Sequence, residues 1–246
     1  MRWGACRVKL SILIPVYNER RLLPELLLKL SKALPAVDKE VILVDDGSTD
    51  GTREWIRDTL AGANGPIDPY HRLPVRVIFH ERNQGKGAAI RTAIRAAQGD
   101  AMAIQDADLE YDPADLMPMW RLIEDGHADV VYGSRFYGRP HRCLYFHHYF
   151  ANKLISMLFS VLYNQILSDL EVCYKMFRRE VLEHLSLRSN DFGFEIEFSA
   201  NVARARRLRI YEIGISYFGR TYSEGKKISW KDGVKALWYV FRFRFA

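Results

Sequence analysis

The chain has 246 residues, 48% of them hydrophobic and 27% charged, with a formal net charge of +6. That length and apolar share suit one large globular domain, and they exclude an intrinsically disordered or fibrous chain. Three cysteines (Cys6, Cys143, Cys173) without metal-type spacing exclude a disulfide framework or a zinc knuckle and suit a reducing compartment.

In chain order, Arg2, Arg7 and Lys9 lead into SILIPV, an apolar run too short for a secretory leader and closed by Pro15 and Asn18-Glu19. KLSILIPVY (9–17) is predicted as a strand and RLLPELLLKLSKAL (21–34) as a helix. EVILVDD (40–46) then reads as a strand, TREWIRDTL (52–60) as a helix and RVIFHE (76–81) as a strand. Residues 62–73, rich in Gly, Pro and Asn, read as a surface loop. GAAIRTAIRAAQ (87–98) is predicted helical, DAMAIQDAD (100–108) a strand, PADLMPMWRLIEDG (113–126) a helix and DVVYGSR (129–135) a strand. This alternation builds βαβ units and a mostly parallel α/β sheet flanked by helices. Beyond Arg135 the pattern changes. FANKLISMLFSVLYNQIL (150–167) is an apolar helix, and YKMFRREVL (174–182) is a strand running into a helix. EIEFSANVARARR (195–207) is helical, RIYEIGISYF (209–218) a strand and SWKDGVKALWYVFRFRF (229–245) an amphipathic terminal helix. From residue 204 onward eleven basic residues face three acidic ones, a distribution that suits an anionic partner or a solvated helical face. No apolar stretch approaches the ~18 residues needed to span a bilayer.

Parallel sheets bind ligands beyond the carboxyl ends of their strands. Asn18-Glu19, Asp45-Asp46, Asp106-Asp108 and Ser134-Arg135 all fall there. In an extended backbone Asp106 and Asp108 would share one face, and two close carboxylates raise each other's pKa unless a cation joins them. A hard divalent ion, Mg²⁺ or Mn²⁺, relieves that repulsion and typically takes one or two carboxylates plus substrate phosphates; Glu110 extends the cluster. An acidic turn is the plain alternative. Asp112, Pro113 and Asp115 read as a helix start and are left out of the site. In VDDGSTDGT (44–52) Asp45 or Asp46 can accept from a base or ribose, while Ser48 or Asp50 can simply cap the helix. NQGKGAAIRTAI (83–94) lacks the spacing of a Walker A loop, since His80 stands where its first glycine belongs and Gly87 where Ser or Thr belongs. Gly85 and Gly87 permit a tight helix start, and Lys86 faces either a diphosphate or solvent.

Taken together, PVYNE (15–19), VDDGSTDGT, NQGKGAAIRTAI, QDADLEYDP (105–113) and VVYGSR (130–135) resemble an inverting family 2 glycosyltransferase with a GT-A fold. SDLEVCYKMFRREVL (168–182), NDFGFEIE (190–197) and ISYFGRTYSEGKKISWKDGVKALW (215–238) look like the dolichyl or polyprenyl-phosphate sugar synthase branch. The resemblance covers nearly the whole chain. It implies a single GT-A domain over 1–246, with nucleotide-sugar binding in 1–135 and acceptor binding with membrane-facing helices in 136–246. Pro15, Tyr17 and Glu19 would meet the base and ribose, with Val44 and Asp46 beside them. Asp106 and Asp108 would hold the metal on the donor diphosphate, with Ala107 packed at the nucleotide and Glu110 where archaeal mannosyl members carry Gln. Arg135 would meet a phosphate of donor or acceptor. Arg220 and Lys226 would clamp the diphosphate, and Lys86 would approach it. The family's acceptor-phosphate residues do not align here; Arg139, Arg142, His147 and His148 remain candidates. Many relatives carry transmembrane helices after the catalytic domain, and none falls within these 246 residues.

The activity implied is transfer of a hexose from UDP-glucose or GDP-mannose to a polyprenyl phosphate at the cytosolic membrane face. Glu110 and the YSEGKK block lean towards a UDP-sugar. A phosphate nucleophile, with its second pKa near 6, is largely ionised at neutral pH, so no general base is required. A hydroxyl acceptor would need one, from Glu195 or Glu197. A non-catalytic nucleotide-sugar-binding subunit of a membrane assembly is the alternative of another class. Nucleic acid is not an expected partner, because the basic residues lack a reading motif; a membrane protein or a second copy of the chain is a possible one. Phe150, Leu154, Leu158, Phe159 and Leu162, helped by Lys153, are candidates for contact with an anionic membrane surface. So are Trp230, Trp238, Tyr239, Phe241 and Phe243 of the terminal helix, with Lys231, Lys235, Arg242 and Arg244 beside them. Core packing is the plain reading of the same apolar stripes.

Overall fold

A computed structural model of the protein describes residues 8–61, 73–138, 140–142, 145–221 and 230–245. Seven strands form one sheet: β1 (Lys9–Val16), β2 (Asp38–Asp45), β3 (Val75–Phe79), β4 (Ala101–Ile104), β5 (Val130–Ser134), β6 (Lys175–Arg178) and β7 (Ile210–Gly214). Their order is β3-β2-β1-β4-β6-β5-β7, and every pairing is parallel except those of β6, which runs antiparallel to β4 and β5. The sheet thus has the mostly parallel, helix-flanked form expected of a GT-A fold. Near-continuous aliphatic runs such as Ile12-Leu13-Ile14 and Val41-Ile42-Leu43-Val44 are fully buried, as strands covered on both faces must be.

The helices are α1 (Leu23–Lys32), α2 (Thr52–Ile56), α3 (Lys86–Ala96), α4 (Leu116–Glu124), α5 (Phe146–Tyr163), α6 (Gly193–Arg204) and α7 (Trp230–Phe245). Helix α1 starts at Leu23 rather than Arg21 because Pro24 belongs in a first turn; Leu23, Leu26, Leu27 and Leu30 then bury one face. Helix α2 runs on as a π-turn, Arg57–Ala61. The segment read as a helix after β6 is a 3₁₀ turn, Arg179–His184. Helix α5 is offset from the predicted 150–167. It begins at Phe146 and stops at Tyr163 because Asn164 adopts the left-handed conformation (φ 52°) that ends helices.

The largest departure lies at the acidic strand end. β4 stops at Ile104, and Asp106 to Glu110 turn, with Leu109 at φ 59°. Asp106 and Asp108 are therefore held in a loop and not on one face of a pleat. Just past the strand Gln105 is buried, its amide donating to the Leu13 carbonyl at 3.0 Å and its Oε1 accepting from Tyr174 Oη at 2.9 Å.

Candidate active site

The carboxyl ends of β1, β2, β4 and β5 open on one edge of the sheet, and a cavity of about 690 Å³ lies there. Pro15, Tyr17 and Glu19 reach it from β1, and Asp46 from β2. Lys86 comes from the start of α3, while Asp106, Ala107, Asp108 and Glu110 come from the turn after β4. Arg135 follows β5, and Arg220 comes from the segment after β7. Val44 does not join them: its side chain is fully buried within β2. Lys226 and Arg139 lie outside the described residues.

The two acids after β2 have separate tasks. Asp45 is fully buried and holds Arg53 through Nε at 2.7 Å. Asp46 faces the cavity, accepting from the backbone amides of Gln84 and Gly85 at 2.9 and 2.8 Å, with His80 Nδ1 2.6 Å away. A carboxylate only accepts, so the His80 proton sits on Nδ1, with Nε2 3.0 Å from Thr92 Oγ1. Asp50 accepts from Thr52 N at 3.0 Å and serves the start of α2. Gly85 takes φ +97°, and a Cβ there would lie 2.3 Å from the Asn190 carbonyl oxygen. This glycine lets the 188–191 loop close over the start of α3.

Each acid after β4 meets a cation. Lys86 Nζ lies 2.6 Å from Asp106 Oδ1 and 3.8 Å from Glu195 Oε1, and it also contacts Cys173 Sγ. Burial works against the Lys86 charge, but Asp106, Cys173 and Glu195 together hold its pKa well above the ordinary value. The segment after β7 returns across the cavity, with Phe218 N donating to the Glu110 carbonyl at 2.9 Å. That return brings Arg220 within 3.0 Å of Asp108, 3.2 Å of Glu110 and 3.8 Å of Glu19. Burial first, then Asp106 and Glu110, push the Asp108 carboxyl up to about 7 despite Arg220. Among the described residues no three His, Cys, Asp or Glu side chains converge into a ready-made metal cage. Glu110 Oε1 accepts from both Nε and the backbone amide of Arg220, so this acid is paired with the same arginine as Asp108. The charge crowding at Asp106 and Asp108 still fits a dication that takes one or two carboxylates and completes its shell with diphosphate oxygens.

On the opposite wall Asp169 grips Arg135 as a fork, accepting from Nε and Nη2 at 2.7 Å each and from the backbone amide at 3.0 Å. Burial disfavours the Asp169 charge, yet Arg135 keeps that carboxyl below its usual value. Asn152 of α5 donates to Asp169 Oδ1 at 3.1 Å and to Glu171 Oε2 at 3.3 Å. Tyr111 stacks on Tyr174, with ring centroids 5.2 Å apart, and Tyr217 adjoins it at 5.8 Å. Arg142 and His148 also line the cavity. Sequence reasoning passed over Asp169, Glu171, Cys173 and Tyr217. The one available signal was the polar DLE run (169–171) preceding an apolar strand.

The two acids considered as bases differ in engagement: Glu195 Oε1 has no hydrogen-bond partner among the described residues and lies 3.8 Å from Lys86. Glu197 is buried and accepts from the amides of Arg188 and Ser189 at 2.9 and 2.8 Å. Glu195 pairs with the fully buried Lys175 and lines a smaller adjoining cavity of about 320 Å³. Asp115, excluded on sequence grounds, is buried and accepts from Ser216 N at 2.6 Å.

Residues 11–186 match the model of glycosyl transferase family 2. The chain belongs to that family. Among curated relatives, it is 27% identical over 238 residues to a dolichol-phosphate mannosyltransferase of Pyrococcus furiosus, covering 96% of this chain and 63% of that one. It is 30% identical over 220 residues to an undecaprenyl-phosphate 4-deoxy-4-formamido-L-arabinose transferase of Proteus mirabilis, covering 89% of this chain and 62% of that one. The chain therefore spans under two thirds of the length of these relatives. Among solved structures, glucosyl-3-phosphoglycerate synthase from Mycobacterium tuberculosis in complex with Mn²⁺, UDP and glucosyl-3-phosphoglycerate superposes with a TM-score of 0.69 at 18% identity, over 96% of this chain and 80% of that one. This likeness establishes the family 2 chain as a GT-A fold.

Proposed function

We infer that this family 2 domain transfers a hexose from a nucleotide diphosphate sugar, UDP-glucose or GDP-mannose, to a polyprenyl phosphate. The observation that carries the reading is one cavity in which strand-end acids and three partly buried cations converge: Asp106 and Asp108 with Lys86 and Arg220 on one wall, Arg135 on the other. Curated relatives of both names act, by those names, on a lipid phosphate.

Pro15, Tyr17, Glu19 and Asp46 form the part of the cavity suited to base and ribose, with Asp46 held rigid by His80 and two amides. Lys86 and Arg220 stand where the diphosphate would enter, and their charges offset the negative charge that grows on the leaving group. Asp106 and Asp108 would hold Mg²⁺ or Mn²⁺, which supplies the same stabilisation as a Lewis acid. The acceptor oxygen attacks the anomeric carbon opposite the leaving phosphate, which inverts that centre. Its phosphate is already ionised and needs no base, consistent with the engagement of Glu197 by two backbone amides.

The lipid tail would leave along α5. Phe146 and Tyr149 at its start line the cavity mouth, and Phe146, Phe150, Leu154, Met157 and Val161 form an exposed apolar stripe at helical spacing. Helix α7 exposes Val234, Trp238, Phe241 and Phe245 at the same spacing, with the Arg242 guanidinium 4.8 Å from the Trp238 ring centroid. Aromatic and basic residues mixed in this way suit peripheral attachment to an anionic membrane surface. Phe159 is not part of that surface, being fully buried, and Leu158 and Leu162 are half-buried. No helix among the described residues is long and apolar enough to cross a membrane.

A donor panel tests the reading: nucleotide sugars with Mg²⁺ or Mn²⁺ and a short polyprenyl phosphate, scored by the nucleoside diphosphate released. One donor should release its diphosphate only when both metal and lipid phosphate are present. Release that ignores the lipid phosphate would contradict the reading.

A further inference from the structure

Glu171 stands on the wall shared by the two cavities, beside Arg135, and the reading above gives it no task. Its surroundings are uneven. Arg135 spends Nε, Nη2 and its backbone amide on Asp169, and the Asn152 amide also lies closer to Asp169. Glu171 receives only the 3.3 Å contact from Asn152 among the described residues. Two carboxylates thus compete for one guanidinium, and Asp169 holds it. Glu195 and Asp191 add negative charge from the α6 side, while Lys235 of α7 is the further cation lining the smaller cavity. A phosphate dianion entering beside Arg135 would meet two adjacent carboxylates if both acids were ionised, with Arg142, His141 and His148 elsewhere on the lining, and low-dielectric surroundings penalise that crowding of negative charge.

We propose that Glu171 binds the acceptor phosphate as a neutral carboxylic acid, its O–H donating to a non-attacking phosphate oxygen while Arg135 faces another. The inference rests on the polyprenyl-phosphate reading of the main cavity. Burial, ahead of the opposing pull of Arg135, raises the Glu171 carboxyl above its ordinary value, and Asp169 and Glu195 add to the rise. The proton stays on Glu171 throughout. The new bond joins the phosphate oxygen to the anomeric carbon, and the bond that breaks releases the nucleoside diphosphate. Glu171 is therefore an acceptor-binding residue and not a general base.

The test measures acceptor KM, donor KM and kcat across pH with a short polyprenyl phosphate. Wild type should show an acceptor KM that rises on the alkaline side while donor KM does not follow. Glu171→Ala should raise acceptor KM about tenfold or more, the effect of losing a hydrogen bond to a charged group. Glu171→Gln, which keeps a donor and cannot ionise, should rescue much of that loss and flatten the alkaline rise. If Glu171→Gln instead lowers kcat by about 10²-fold or more with acceptor KM unchanged, Glu171 is a base and the proposal falls. It falls too if Glu171→Ala leaves acceptor KM unmoved. Should Glu171→Ala fail to fold, as read by its melting transition, the Glu171→Gln pH profile alone decides. Wild type that transfers nothing to a lipid phosphate overturns the functional reading itself, a result distinct from the other two.

Discussion

Asp108 stands at the centre of the acidic turn, and its carboxyl is pushed up to about 7 by burial and by Asp106 and Glu110. A folded-state pKa above the unfolded value means that the neutral form favours folding. That contribution is complete below the unfolded pKa, near 4, and is lost as pH rises through about 7. In a chelator, Asp108→Asn is thus expected to raise the melting temperature at pH 8 relative to wild type, with the gain fading towards pH 4. The same substitution should lower kcat by about 10²–10³-fold, since it would remove a charge that the proposed function assigns to holding an ion on the leaving group. A melting temperature unchanged at pH 8 would show that the crowding is relieved by some other route. These acids were legible in the sequence because QDADLE follows an apolar strand. Lys86 and Arg220 were named as diphosphate contacts, but their pairing with these acids was not legible: Lys86 and Asp106 are 20 positions apart, and Arg220 meets Glu110 across 110 residues. Only the return of the chain after β7 makes that pairing, and no local spacing announces it.

At the scale of elements, the loop before α3 depends on one backbone conformation. Gly85→Ala forces a Cβ towards the Asn190 carbonyl and a positive φ on an L-residue, so a loss of about 1–3 kcal/mol in denaturant unfolding is expected. Helix α5 divides its apolar residues between two tasks. Phe159 is buried, and Phe159→Ala should cost about 3–5 kcal/mol. Met157 and Val161 are 61% and 75% exposed, so Met157→Glu with Val161→Glu should keep stability within about 0.5 kcal/mol per site and sharply reduce sedimentation with anionic liposomes at low salt. Unchanged sedimentation would remove α5 from the membrane face. The existence of this helix was legible from its apolar run, but its phase was not. With apolar residues all round its second half, periodicity could not separate Phe159 from Met157, and the FHHY start carried no capping signal. Strand β4 was overextended for a similar reason: alternation continues through Asp108, while the strand ends at Ile104 and the chain turns, with Leu109 at φ 59°.

Across the whole molecule, the sheet order was foreseeable in kind. Parallel βαβ units must send their carboxyl ends to one edge, which is why four separate polar groups could be assigned to one edge of the sheet before any contact was known. The insertion of antiparallel β6 between β4 and β5 was not foreseeable, and it is the step that carries Asp169 and Glu171 to Arg135. The half of the domain after residue 135 thereby supplies one wall of the cavity and the half before it most of the other. The proposed function uses that division by placing the donor on the acid side and the acceptor phosphate on the Arg135 side. The most direct measurement compares two acceptors that differ only in the phosphate, a short polyprenyl phosphate and the corresponding polyprenol, with the anomeric configuration of the product read by NMR. Sugar should appear on the phosphate alone, inverted relative to the donor, with one nucleoside diphosphate released per linkage. Transfer to the polyprenol at a comparable rate, or a product that retains the donor configuration, would contradict a phosphate nucleophile attacking in line.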